Sequence, residues 1–180
     1  HVVYNNKQLP VRQFEPFFSG THHFENDVVL ENNGVSIQQY YDPLGRMYRT
    51  DYPDSTFSEV LFSAWEVNFF DQNDTVDRSM YKFFRELEAA GSPERMALEK
   101  SLAHKETPTI IQFDPLGREI VHIETNNNSI LRKVITQFDL NGNPSQITDA
   151  RGLNAFEYKR DMLGRLIYEK SMDAGEKWSF

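Results

Sequence analysis

Apolar and polar residues alternate with a period of two along much of this chain, the pattern of half-buried strands. Val35-Ser36-Ile37-Gln38-Gln39-Tyr40-Tyr41 is one such run, and Met47-Tyr48-Arg49-Thr50 follows it. Val60-Leu61-Phe62 and Trp65-Glu66-Val67-Asn68-Phe69 predict two more strands. Further on, Glu119–Ile123, Ile130–Ile135, Ala155–Tyr158 and Leu166–Tyr168 fit the same pattern. Residues 10–34, with Glu15-Pro16-Phe17-Phe18, read as an irregular connection.

A turn signal punctuates these runs. It is an aromatic, Asp, two residues, Gly, and often Arg. Tyr41-Asp42-Pro43-Leu44-Gly45-Arg46 and Phe113-Asp114-Pro115-Leu116-Gly117-Arg118 are full copies. Phe138-Asp139-Leu140-Asn141-Gly142-Asn143 lacks the Arg, and Arg160-Asp161-Met162-Leu163-Gly164-Arg165 lacks the aromatic. Tyr4-Asn5-Asn6-Lys7-Gln8 reads as a decayed copy, and Tyr52-Pro53-Asp54-Ser55-Thr56-Phe57 as another turn. Asp suits the first position of a type I turn, and its carboxylate accepts from backbone two residues on. Gly at the fourth position takes a positive φ and forms the bulge of a three-residue hairpin loop. Asp149-Ala150-Arg151-Gly152, Asn126-Asn127-Asn128 and Asp173-Ala174-Gly175 add turns. From Asp114 onward turns recur at short, even intervals, which predicts an antiparallel β meander over 108–180.

One stretch has a different period. Met80, Phe83, Phe84 and Leu87 fall at i, i+3, i+4 and i+7, a helical stripe. Asn73 or Asp74 is the expected cap and Gly91 the expected end. Ser92-Pro93 starts a second helix, with Ala97, Leu98, Ser101 and Leu102 on its apolar side, which stops before Pro108. The expectation is one mainly β segment over 1–180, with an α-helical hairpin inserted at about 75–105.

Composition narrows the function. The 180 residues are 39% hydrophobic and 13% aromatic, which excludes bulk disorder. A net charge of −8 argues against a general nucleic-acid binder, which needs excess Lys and Arg at phosphates. No apolar run approaches the roughly 18 residues of a membrane helix. With no Cys, disulfides and thiolate metal sites are excluded. The start, His1-Val2-Val3-Tyr4, carries no initiator Met or leader pattern and reads like the interior of a longer chain.

Candidate chemistry is sparse. Asp139, Asn141, Asn143 and Ser145 have the spacing of the start of a calcium loop, but Pro144 and Ala150 stand where Gly and Glu are required. The hairpin turn is the better reading. Asp71, Asp74 and Asp77 have cation-binding atoms, yet fit more simply as an acidic helix start. His22, His23 and Glu25 have metal-compatible atoms, but adjacent residues on an extended chain point apart. His104 and His122 add no ligand spacing. No Gly-x-Ser-x-Gly elbow or glycine-rich phosphate loop occurs, and acid pairs such as Glu86 with Glu88 fit a solvated helix face. No catalytic, cofactor-binding or metal-ligating residue is assigned. Fourteen Phe, eight Tyr and two Trp offer sugar-stacking surface, although aromatics in strands more commonly pack across the sheet. The Arg after each turn Gly is placed to pair with the turn Asp or with a neighbouring repeat.

The Tyr-Asp-x-x-Gly-Arg copies resemble the YD repeats of Rhs proteins and insecticidal toxin complexes. Val11-Arg12-Gln13-Phe14-Glu15-Pro16-Phe17-Phe18-Ser19 is similar to a segment of the toxin-complex and SpvB-like members. So are Tyr41–Arg46, Tyr52-Pro53-Asp54, Phe57, Trp65 and Asp71-Gln72-Asn73-Asp74-Thr75, in that order. The resemblance covers nearly the whole chain, least in the helical insert. Ser55 departs from a usual turn Gly, Asn143 from the repeat Arg and Arg160 from the repeat aromatic. The resemblance implies a segment of a spiral β-sheet shell, secreted or at the bacterial surface. It also implies that the shell encloses a C-terminal toxin polypeptide, and that this segment does no catalysis. Asp-Pro-Leu-Gly occurs twice but is followed by Arg46 and Arg118, so the family's cleavage segment is not carried over. The implied partners are the rest of the shell and its enclosed polypeptide. The isolated chain, with open sheet edges, is expected to self-associate. A carbohydrate-binding module using exposed Tyr and Trp is the alternative, and an enzyme built from distant acids or His the third.

Overall fold

In a computed structural model, residues 1–20, 22, 23, 26, 29, 35–126 and 131–179 are described. Among the described residues thirteen strands stand in the sheet in the order in which they occur in the chain. They are β1 (Val2–Tyr4), β2 (Pro10–Phe14), β3 (Ser36–Tyr41), β4 (Met47–Asp51), β5 (Phe57–Phe62) and β6 (Glu66–Phe70). After two helices come β7 (Thr109–Phe113), β8 (Glu119–Thr125), β9 (Leu131–Phe138) and β10 (Pro144–Thr148). The last three are β11 (Asn154–Arg160), β12 (Leu166–Ser171) and β13 (Gly175–Trp178). This is the predicted antiparallel meander. The chain divides into two compact units, residues 1–61 with 69–106, and 62–68 with 107–180.

In the first unit, β2 lies inside the stretch read from sequence as an irregular connection. Pro10–Phe14 pairs with β1 on one side and β3 on the other. Pro10 begins the strand, where proline is tolerated, and its carbonyl accepts from the Tyr41 hydroxyl at 2.8 Å. The strand is specified by these partners, which a local pattern does not reveal.

The helical insert is present, with different ends. A 3-10 turn (Val76–Arg78) precedes α1 (Met80–Glu86), and α2 runs over Pro93–Leu102. Ser79, not Asn73 or Asp74, caps α1, its hydroxyl accepting from Lys82 N. The reason is local competition. Asp71 Oδ1 takes the N–H groups of Asn73 and Asp74 at 2.7 and 2.8 Å, and Asp74 Oδ2 takes Asp71 N–H at 2.8 Å. Those acids are committed to a tight turn before any helix begins. The end also moves, from Gly91 to Leu87. Ser92 caps α2 as predicted, accepting from Arg95 N at 3.2 Å, with Pro93 in the first turn.

In the first unit Leu98 and Thr75 are fully buried and Val76 nearly so, and Phe14 and Phe57 are buried as well. Thr75 donates its hydroxyl to the Phe57 carbonyl, tying the insert to β5. The predicted stripe of α1 is exposed rather than buried: Met80, Phe83, Phe84 and Leu87 are each more than half accessible. In the second unit Val121, Ile123 and Tyr168 are buried, two of them alternating on β8.

Candidate functional site

The most regular chemistry in the chain is a row of carboxylate-clamped turns. In each, the Asp N–H donates to the carbonyl of the residue four on, and the Gly N–H donates back to the Asp carbonyl. For Asp42 these bonds reach Arg46 O and come from Gly45 N, both at 2.9 Å. Asp114, Asp139, Asp149 and Asp161 repeat the arrangement at 2.8–3.0 Å. Every turn glycine has a positive φ, from +76° at Gly117 to +84° at Gly142. This left-handed conformation disfavours a side chain.

The Asp side chain closes each turn. Asp42 Oδ1 accepts from the backbone N–H of Leu44 and of Arg46, each at 2.9 Å. Its Oδ2 receives the Arg46 fork, Nε and Nη2 both at 2.7 Å. Arg118 grips Asp114 in the same way, and Arg165 grips Asp161. Asp149 is held by Arg151, from inside the turn rather than after it. At Asp139 the Asn143 side-chain amide takes the place of the guanidinium. Four donors around one carboxylate, or three at Asp139, favour its ionised form. Backbone N–H donation from Arg118, Asn143, Leu153 and Arg165 is the leading cause of lowered pKa values at Asp114, Asp139, Asp149 and Asp161. At Asp42 desolvation is the largest influence and opposes this, but the Arg46 donors outweigh it and the pKa is again lowered.

Two divergent turns share the geometry. At the decayed copy, Asn5 Oδ1 accepts from Lys7 N and Leu9 N at 2.9 and 3.0 Å, with Gln8 at φ +60° in the glycine place. At the other, Tyr52 stands in the Asp position and Ser55 in the Gly position, at φ +68°. The missing carboxylate is supplied by Asp54, which accepts from Thr56 N at 3.0 Å.

Adjacent turns touch. Lys7 Nζ donates to Pro43 O at 2.7 Å. Arg118 lies 4.6 Å from the Phe138 ring centroid. Arg160, which replaces the repeat aromatic, donates to Pro144 O at 2.7 Å. These contacts join neighbouring hairpins into a ladder.

The other candidates separate cleanly. Asp139, Asn141 and Asn143 form the hairpin turn, not a cation loop, since Asp139 Oδ1 is taken by the N–H groups of Asn141 and Asn143. Asp71 and Asp74 bond to each other's backbone, as described above. His22 and His23 do not diverge: their ring centroids are 4.3 Å apart, because the chain is not extended there. Glu25 lies outside the described residues, as do Asn127, Asn128 and Ile130. Among the described residues no group of three His, Cys, Asp or Glu is placed to hold a metal ion. His122 sits between Glu119 and Glu124, at 3.1 and 2.9 Å, and its pKa is raised, first by the bond to Glu124. Sequence reasoning missed a cleft in which Arg49 and Arg78 both approach the Phe57 ring. Nothing local in the sequence says that Arg78 returns to this ring.

The fold and its clamped turns define a β-meander segment of repeated hairpins. No sequence-family model matches the chain. No curated protein matches it either. Solved structures do. The chain is similar to part of the crystal structure of TcdB2-TccC3, at 22% identity and TM-score 0.78, over 99% of this chain and 8% of that one. It is similarly like part of the Photorhabdus luminescens Tc holotoxin pore with a mutated TccC3, at 23% identity and TM-score 0.76, with the same coverage. The fold is therefore that of a segment of these toxin-complex structures, and the chain spans a small fraction of their length.

Proposed function

We propose that this chain is a length of wall in a larger toxin-complex shell, that the shell encloses a C-terminal toxin polypeptide, and that this segment performs no catalysis. One observation carries the reading: chain order equals sheet order through every strand, in a fold matched over 99% of this chain but 8% of its neighbours. A meander of this kind satisfies its amides by strand pairing and extends indefinitely without special side chains. The exposed apolar stripe of α1 supports the reading, because such a face in a functioning protein is covered by something. The partners are then the rest of the shell and the enclosed chain, and the location is outside the bacterial cytoplasm.

The test is an immunoblot of the source organism with an antibody to this chain, followed by mass spectrometry of what co-purifies. A band several times larger than 21.1 kDa, retaining a C-terminal fragment, is expected. A lone band at that size with nothing attached overturns enclosure.

A second reading keeps one specific support. Trp65 and Trp178 are 58% and 53% exposed, and Trp178 borders a cleft of about 340 Å³ with Asp161 and Arg165. An aromatic face beside paired polar groups suits a sugar ring. A glycan array without hits removes this reading.

A further inference from the structure

In the first unit, a cleft of about 300 Å³ opens where the β4–β5 hairpin meets the start of α1. Register places Arg49 opposite Glu59 and Asp51 opposite Phe57 on one face. Arg78 arrives from the 3-10 turn. The Arg49 guanidinium lies 4.0 Å from the Phe57 ring centroid and that of Arg78 lies 5.5 Å from it. Two cations thus converge on one buried ring.

Each cation spends one nitrogen on a carboxylate. Arg49 Nε meets Asp51 Oδ1 at 2.6 Å, and Arg78 Nη1 meets Glu59 Oε2 at 3.0 Å. Asp51 is also held by the Tyr40 hydroxyl at 3.0 Å, so it stays in place if Arg49 shifts. Among the described residues, no further hydrogen bond engages either guanidinium. Both side chains remain partly accessible, at 37% and 46%.

Ser55 lines the same cleft. It holds φ +68° at the position where Asp42, Asp114 and Asp161 turns place glycine. A side chain is kept there against a conformational penalty. Ser55 therefore places a hydroxyl-bearing residue at the rim of the two-arginine cleft.

We propose that Arg49, Arg78 and Ser55 form an oxyanion-binding site. The group bound is a phosphate or a carboxylate, received by the free edges of the two guanidinium forks and the Ser55 hydroxyl. Fork geometry matches both oxyanions. The space exceeds a bare phosphate and admits the moiety that carries it. A chain of net charge −8 repels anions in general, so binding here is local and not a bulk electrostatic effect. The inference is independent of the wall reading.

The test follows the arginine Nε–Hε signals of the full 15N-labelled chain by NMR. Inorganic phosphate and acetate are titrated separately, against sodium chloride at equal ionic strength. Saturable movement of the Arg49 and Arg78 signals with either anion is expected. Movement with phosphate alone identifies a phosphoryl group, and movement with both identifies a carboxylate-compatible site. Arg78→Gln is expected to weaken binding about ten-fold or more, the loss of a charge-assisted bond. Ser55→Gly relieves backbone strain, keeps the fold and is expected to weaken binding about five-fold. Shifts that chloride reproduces, or an unchanged affinity in Ser55→Gly and Arg78→Gln, overturn the site.

Discussion

Arg118 holds Asp114 in its own turn through Nε and Nη2, at 2.7 and 2.6 Å, and lays the same guanidinium 4.6 Å from the Phe138 ring of the next hairpin. One side chain therefore closes a turn and joins two repeats. Lysine keeps the charge but loses both the fork and the flat stacking surface. Arg118→Lys is expected to lose the stacking contribution of about 0.5–1 kcal/mol in urea unfolding. Arg165→Lys, at a turn whose arginine is 75% exposed, is expected to lose less. Equal effects at the two sites would show that the contact with Phe138 contributes nothing.

The turns were legible in the sequence because their bonding is local. Asp42, the N–H groups of Leu44 and Arg46, and Gly45 lie within five residues, so the local spacing alone implies the clamp. Asn5 and Gln8 were readable for the same reason. Arg118 over Phe138 and Arg78 over Phe57 were not, since each contact depends on which hairpins become neighbours. The helical stripe of α1 was also readable, but its exposure was not. Periodicity states which residues share a face and is silent on whether anything covers it.

Backbone conformation makes opposite predictions at two equivalent turn positions. Gly142 has φ +84°, and a Cβ there would meet Arg118 Nη1 at 3.5 Å, an ordinary contact. Gly142→Ala is therefore expected to cost about 1–2 kcal/mol from the left-handed backbone alone. Ser55 already bears that strain at φ +68°, so Ser55→Gly is expected to stabilise by about 1 kcal/mol. Chemical denaturation of both variants measures the pair. A destabilised Ser55→Gly would mean that the serine side chain makes a compensating bond.

The pH dependence has two limbs of opposite sign. The clamped turn aspartates have folded pKa values below their unfolded value of about 3.9. Their contribution is fully present above that value and is lost as pH falls through the lower folded values. His122 is the reverse. Its folded pKa is raised, so its contribution is full below about 6.5 and is lost as pH rises through the folded value. Melting temperature is expected to fall in strong acid and to decline slightly above about pH 6.5. His122→Gln is expected to remove the alkaline decline and leave the acid limb intact. A wild-type profile that is flat above that pH would contradict the Glu119–His122–Glu124 arrangement.

The first unit's core offers two substitutions with separable mechanisms. Leu98 is fully buried on α2, and Leu98→Ala leaves a cavity expected to cost about 2–5 kcal/mol. Thr75→Val keeps nearly the same volume but deprives the Phe57 carbonyl of its hydroxyl donor. An unsatisfied buried acceptor is expected to cost about 1–3 kcal/mol. Urea unfolding measures both. A neutral Thr75→Val would show that the insert is held to β5 by packing alone.

The edge strand β13 gives the clearest test of association. Ser179 N–H donates to Ile167 O at 3.0 Å, so by strand alternation the N–H groups of Glu176 and Trp178 point away from β12. An outward row of unpaired donors and acceptors recruits another strand. The isolated 180-residue chain is accordingly expected to self-associate at high concentration. Glu176→Pro removes one outward N–H without breaking the β12 ladder, and it places a ring where a further strand would pair. Light scattering after size exclusion is expected to show association in the parent chain and its reduction in Glu176→Pro. The exposed ion pair of Glu176 with Lys170 is lost in the same variant, so Glu176→Gln serves as the control. Reduced association in Glu176→Pro but not in Glu176→Gln assigns the interface to the backbone edge. A monomeric parent chain would mean that β13 is already protected, and the open-edge argument would fail.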